Sequence, residues 1–189
     1  MDVITLKELL TKDIKGKVVC FPTDTVYGVG ALINDSEAID KIYHLKNRDK
    51  SKPLAVLTST KQIEPFVKEI SEFSKVLMDK YWPGALTLIF KKSDKISEKV
   101  TSGFDTVGLR MPNSNIALQI LNKFGLMATT SVNISGSEPL NNVDDIIKHF
   151  SEDIDYLVID KEKTSNISST VIDVTSESYK ILRQGDIKL

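Results

Sequence analysis

Apolar residues are spaced in two rhythms along the 189-residue chain, and the change of rhythm marks its elements. Lys17–Phe21, Leu54–Thr58, Ala85–Phe90, Val107–Met111 and Leu126–Val132 are short apolar runs and read as buried strands. Tyr156–Ile159, Ser169–Thr175 and Tyr179–Arg183 add further strands near the C-terminus. Helical spacing lies between them. Asp35-Ser36 caps a helix with Ala38, Ile39, Ile42, Tyr43 and Leu45 on one side. Residues 60–81 hold helical periods, with Pro65 placed for a first turn. Asn115–Phe124 forms a helix that stops at Gly125, and Asp144–Phe150 forms another. Thr5-Leu-Lys-Glu8 is a capping box, so the N-terminus reads as a short amphipathic helix closed by Gly16.

Strands that alternate with helices and then cluster predict an α/β (α+β) fold with a mixed sheet. There is no repeat, linker or low-complexity tract, so one domain over 1–189 is expected. The 41% hydrophobic and 27% charged residues are ordinary for a soluble globular chain. One cysteine, Cys20, excludes an internal disulfide framework and a cysteine-rich zinc site. His44 and His149 read as surface helix residues. No apolar run approaches the ~20 residues of a membrane helix and no basic leader opens the chain, so a cytoplasmic protein without membrane contact is expected. On the same ground the sequons at Asn133 and Asn166 are read as coincidence. A net charge of −1 argues against a polycationic nucleic-acid surface.

The cations are unevenly chosen. Of 25 basic residues only Arg48, Arg110 and Arg183 are arginine. Arginine offers a planar fork to carboxylates and phosphates that lysine cannot copy. Four strand ends carry polar, small or glycine-rich tips: Pro22–Gly28, Val107–Pro112, Thr129–Gly136 and Leu182–Gly185. Ligands of open α/β sheets gather at such ends. Lys46–Lys52 reads as a solvated loop and Trp82-Pro-Gly84 as a structural breaker. No Walker loop or serine triad is present, since Gly28-Val-Gly30 lacks a following Gly-Lys-Ser/Thr and no Gly-x-Ser-x-Gly occurs.

Taken in order, Phe21-Pro-Thr-Asp-Thr-Val-Tyr-Gly-Val-Gly30, Leu45-Lys-Asn-Arg48 with Lys52-Pro-Leu54, Tyr81-Trp-Pro-Gly-Ala-Leu-Thr87, Val107-Gly-Leu-Arg-Met-Pro112, Ser131-Val-Asn-Ile-Ser-Gly136, Ser169-Thr-Val-Ile-Asp173 and Ile181-Leu-Arg-Gln-Gly185 resemble the YrdC-like family of threonylcarbamoyl-AMP synthases. The resemblance spans Val18 to Gly185, and the chain looks like the short bacterial form. It implies a twisted mixed sheet flanked by helices around a large open cavity. It also implies synthesis of threonylcarbamoyl-AMP and pyrophosphate from L-threonine, bicarbonate and ATP. Other proteins of the family's pathway then carry the threonylcarbamoyl group to tRNA, beside the anticodon.

By motif position, Thr25, Arg110, Ser131 and Ser169 are implied threonine contacts. Lys46, Arg48, Lys52, Thr106, Asn133, Asn141 and Arg183 are implied ATP contacts. A divalent metal, expected to be Mg2+, accompanies ATP; its protein ligands are not implied. Val132 and Asn47 depart from the family's usual alanine and glycine, and neither removes a ligand. Because the nucleophile comes from the substrate, no catalytic Ser or Cys is expected. Two other readings share the fold: an RNA-binding module, and a carbamoyl-adenylate-forming domain of the hydrogenase-maturation kind. The charge balance favours at most weak tRNA binding.

Overall fold

A computed structural model describes residues 1–176 and 178–188. Among the described residues, ten strands form one sheet: β1 (Asp2–Ile4), β2 (Val19–Phe21), β3 (Gly28–Leu32), β4 (Ala55–Leu57), β5 (Leu86–Lys91), β6 (Thr106–Arg110), β7 (Met127–Ser131), β8 (Tyr156–Val158), β9 (Thr170–Asp173) and β10 (Lys180–Arg183). Six helices flank it: α1 (Leu6–Leu9), α2 (Ser36–Leu45), α3 (Glu72–Tyr81), α4 (Glu98–Thr101), α5 (Asn115–Phe124) and α6 (Val143–Phe150). The strand order is β1-β8-β2-β3-β7-β4-β6-β5-β9-β10. The pairs β1–β8, β8–β2, β4–β6 and β5–β9 are parallel and the rest antiparallel. The expected α/β class with a mixed sheet is what the chain adopts.

Alternation along the strands divides the core between the sheet's two faces. Cys20, Val29, Val56, Leu88, Leu109, Ala128 and Leu157 pack with residues of α2, α3, α4 and α6. Val19, Phe21, Leu57, Met127 and Val158 pack on the other face with α1 and α5. Helices α1 and α5 cover only part of that second face, which leaves the cavity described below. Helix α5 follows its sequence signals closely. Ser114 accepts from the Ala117 amide, Ile116, Ala117, Ile120 and Leu121 are buried, and Gly125 ends the helix at φ 90°.

Four expectations are corrected. The N-terminus begins as strand β1, paired in parallel with β8, and only then enters the capped helix. That helix ends at Leu9; it buries Leu6 and Leu9, and Ile14 is then buried from a loop before Gly16 turns at φ 73°. Residues 60–81 are not one helical stretch. A 3-10 turn at Glu64–Phe66 is followed by extended chain, because Val67 bridges to Lys92 and the Lys68 amide donates to Lys91 O. Helix α3 starts afresh at the Ser71 cap. Within the stretch read only as polar up to Asp105, Ser97 caps the short α4.

Candidate functional site

The uncovered part of the sheet face is an open cavity. Its floor is read off alternate residues: Ala55 and Leu57 on β4, Thr87 and Ile89 on β5, Thr106, Gly108 and Arg110 on β6, and Thr129 and Ser131 on β7. The residues between them, such as Leu88, Val107, Leu109 and Ala128, point into the core. Strand period thus separates an apolar core face from a mixed face, whose hydroxyls and arginine meet the cavity. Gly108 keeps the floor low. A Cβ there would lie 3.2 Å from Ile89 Cδ1 and 3.3 Å from Thr87 Cγ2.

Two arginines brace the cavity side by side, close enough for the Arg183 charge to act on Arg110. Arg110 Nε donates to Gly84 O at 3.0 Å, Nη1 to Thr25 Oγ1 at 2.9 Å, and Nη2 pairs with Asp24 at 2.5 Å. Burial lowers the Arg110 pKa, and the Asp24 carboxylate opposes that shift. A guanidinium has five N–H groups, so Arg110 keeps donors for a ligand after these three bonds. The Trp82–Gly84 breaker sets this geometry. Trp82 Nε1 donates to Leu86 O at 2.7 Å, and the Gly84 amide donates to Met111 O at 2.8 Å. Arg183 reaches Ser169 O and Ser169 Oγ, each at 3.0 Å. Ser169 Oγ lies 2.8 Å from Thr87 Oγ1.

The Lys46–Lys52 segment is not uniformly solvated. Lys46, at the C-terminal end of α2, is only 1% exposed. Its ammonium donates to Ser131 O at 2.5 Å, Asn133 O at 2.9 Å and Asn133 Oδ1 at 2.6 Å. Ser131 Oγ donates to the same Asn133 Oδ1 at 2.7 Å. No carboxylate balances this charge among the described residues within salt-bridge reach. Burial, and then the neighbouring Arg48 charge, lower the Lys46 pKa to about 7. Arg48 bonds back to its own loop, to Lys52 O at 3.1 Å and Pro53 O at 2.9 Å. Tyr43 Oη also donates to Lys52 O, at 3.0 Å, which ties the loop to α2.

Of the eleven residues singled out above, Thr25, Arg48, Thr106, Arg110, Ser131, Ser169 and Arg183 line the cavity. Lys46 and Asn133 sit behind its wall as a hydrogen-bonded support for Ser131. Asn141 accepts from the Tyr27 amide at 3.1 Å, and Lys52 is exposed. Asp24, Thr23 and Thr87 belong to the site although the sequence reading did not choose them. Asp24 and Thr87 lie inside motifs already quoted, so their residue types beside Thr25 and Leu86 were the available signal. Cys20 is wholly buried and its thiol pKa is pushed up, as suits a core residue. His44 and His149 are exposed, as expected.

The class this arrangement defines is an α/β domain with an open cavity on one sheet face, lined by arginine forks and hydroxyls, groups whose chemistry suits anionic ligands. The chain belongs to the Sua5/YciO/YrdC family, whose profile, described as telomere recombination, matches residues 14–185. It is 37% identical over 177 residues to a threonylcarbamoyl-AMP synthase of Pyrococcus abyssi, covering 93% of this chain and 52% of that one. A putative threonylcarbamoyl-AMP synthase of Methanocaldococcus jannaschii is 35% identical over 185 residues, covering 96% of this chain and 86% of that protein. The crystal structure of P. abyssi Sua5 complexed with L-threonine superposes with a TM-score of 0.92 at 33% identity, covering 98% of this chain and 58% of that one. The chain spans about half the length of the P. abyssi and Bacillus subtilis relatives. Among the described residues, no helix is long and apolar enough to cross a membrane.

Proposed function

We propose that this chain forms L-threonylcarbamoyl-AMP and pyrophosphate from L-threonine, bicarbonate and ATP. The observation that carries the reading is the pairing of Arg110 with Thr25 and of Arg183 with Ser169 within one cavity. It is supported by the threonine complex of the superposable P. abyssi relative. The threonine amine and bicarbonate give a carbamate and water. A carbamate oxygen attacks the α-phosphorus of ATP, and pyrophosphate leaves.

Each part of the cavity has a task in this scheme. Arg110 takes the amino-acid carboxylate, and Thr25, Ser131 and Ser169 place its polar groups. Arg48, Arg183 and Thr106 meet the nucleotide, with Lys52 at the rim. Lys46 adds positive charge from behind Ser131, and Asn133 and Asn141 hold the loops around it. Holding both substrates lowers the entropic barrier, and fixed cations stabilise charge that develops at phosphorus. The cavity lining carries hydroxyls and arginines, its nearest carboxylate, Asp24, is taken up by Arg110, and the described residues hold no cluster of three His, Cys, Asp or Glu. These residues do not build a resident metal site, so Mg2+ enters with ATP as part of the substrate.

The product would pass to proteins that transfer the threonylcarbamoyl group to tRNA. The test is a product assay with ATP, labelled bicarbonate and each amino acid in turn. Label should enter an adenylate only with threonine, in step with pyrophosphate. Label entering an adenylate without any amino acid would favour carbamoyl-adenylate formation, and no product at all would overturn the enzymatic reading.

A further inference from the structure

Residues 159–169 cross from the end of β8 to the start of β9 without regular structure. They form a strap over the Thr25 turn. The Ser165 amide donates to Asp24 O at 2.9 Å, and the Asn166 amide donates to Thr25 O at 2.8 Å. Asn166 adopts φ 59°, a conformation asparagine tolerates better than most residues. The strap then brings Ser168 and Ser169 into the cavity wall.

One side chain fixes the course of this strap. The Glu162 carboxylate accepts from the Asn115 amide at 2.7 Å, the Ile116 amide at 3.3 Å and the Ser114 hydroxyl at 2.5 Å. These groups open α5, where free amides and the helix dipole favour an anion. Ser114 Oγ also lies 3.3 Å from Pro22 O, and Pro22 leads into the Thr25 turn. The turn, the α5 N-terminus, Glu162 and the strap therefore form a closed ring of contacts, hydrogen-bonded throughout except at the longer Ser114–Pro22 approach. A second carboxylate, Asp160, accepts from the Leu6 amide at 2.5 Å and holds the strap's entry against α1. Glu162 is the anchor next to the part that crosses the turn. It does not itself line the cavity.

We propose that Glu162 is a positioning residue for amino-acid recognition: by docking the strap on α5 it holds Thr25 and Ser169 where the substrate threonine meets them. The proposal rests on the function proposed above and adds to it the residue that sets the threonine half of the site. The nucleotide half is built mainly from β6 and the loop after α2, which carry Thr106 and Arg48, and it meets the strap only where Arg183 bonds Ser169. Loosening the strap at Glu162 should therefore weaken threonine far more than ATP, which feels the strap only through Arg183.

The experiment uses the full chain with Glu162→Ala and Glu162→Gln. Threonine and ATP affinities are measured by calorimetry, and amide exchange at Ser165 and Asn166 is followed without ligand. Glu162→Ala should weaken threonine roughly tenfold and ATP less than about twofold, in keeping with the loss of one charge-assisted anchor acting through the backbone. Exchange at both amides should quicken. Glu162→Gln keeps an acceptor for one α5 amide and the side-chain size, so it should fall between wild type and Glu162→Ala. Equal weakening of threonine and ATP would make Glu162 a general stabiliser and overturn the proposal. So would unchanged threonine affinity in a variant whose strap amides exchange faster. Wild-type protein that binds ATP but no threonine would overturn the functional reading and this proposal with it. Wild-type protein that binds threonine, with variants that bind it equally well, would overturn this proposal alone.

Discussion

Arg110 shows why arginine persists in a lysine-rich chain. Its three nitrogens reach a carbonyl, a hydroxyl and a carboxylate that lie on two different segments. A lysine ammonium has no planar spread with which to span them. Arg110→Lys should weaken threonine about 10- to 150-fold, from the loss of a geometry-dependent charged contact, while ATP affinity changes little. Titrations with each substrate separately would check the split, and equal losses for both would remove Arg110 from the threonine side.

Lys46 makes a different kind of prediction at the same scale. Folding lowers its pKa from 10.5 to about 7, so between those values the unfolded chain binds the extra proton. Stability should therefore rise with pH across that window, and the unfavourable contribution is fully present below about pH 7. Triphosphate near Lys46 and Arg48 would favour the charged form. ATP binding at pH 8 should take up a measurable fraction of a proton, seen as a dependence of binding heat on the buffer's ionisation enthalpy. Lys46→Met should abolish that uptake. Uptake that survived in the variant would mean that another group carries the proton.

At the scale of elements, the close approach of Gly185 to the strap is the most sensitive joint. A Cβ on Gly185 would lie 2.1 Å from Ser168 O and 2.5 Å from Ser169 C, both backbone atoms. Gly185→Ala must separate the segment after β10 from the cavity wall and pull Arg183 from Ser169. We expect a stability loss of about 1–3 kcal/mol, of the order of other overpacking changes, together with weaker binding of both substrates. Denaturant unfolding and binding titrations would test it. An alanine variant with wild-type values for both would show that this joint is compliant.

The elements differ in how plainly the sequence announces them, for physical reasons. Helix α5 carries its cap, its apolar face and its stop within its own residues, and α2 likewise has Asp35 as cap. Strand β3 contains Gly28 and Gly30, which lower any local signal for a strand. It is specified by its partner β7 instead, since a Cβ at Gly28 would meet Thr129 Cγ2 at 3.0 Å. Strand β1 has three residues and depends on β8, more than 150 positions away, so no local pattern could reveal it. The site divides in the same way. Motif position picked out seven residues that line the cavity and passed over Thr23 and Thr87, while burial of Lys46 depends on loops around Ser131 and Asn133, and Glu162 lies outside every quoted motif.

For the whole molecule, the basic groups near the cavity are local features of a chain whose net charge is −1. Binding to tRNA should therefore be weak at physiological salt and should fall steeply as salt rises, through release of phosphate counterions. A salt titration with labelled tRNA tests this. Nanomolar affinity that persists at physiological salt would favour the RNA-binding reading of the fold.

The parallel partnership of β1 with β8 also shapes the order in which the chain can assemble during synthesis. Asp2, Val3 and Ile4 leave the ribosome well before their partners Tyr156, Leu157 and Val158, which come more than 150 residues later. Until then β1 has no hydrogen-bonding neighbour, and β2 lacks the one on its β8 side. Contacts of such long range are paid for late in loop-closure entropy and slow the folding of a domain. The Ser169 wall and its Arg183 brace come later still, so a nascent chain acquires a complete cavity only after these segments have emerged. Ligand therefore cannot guide the early stages of folding; it can only trap the finished sheet.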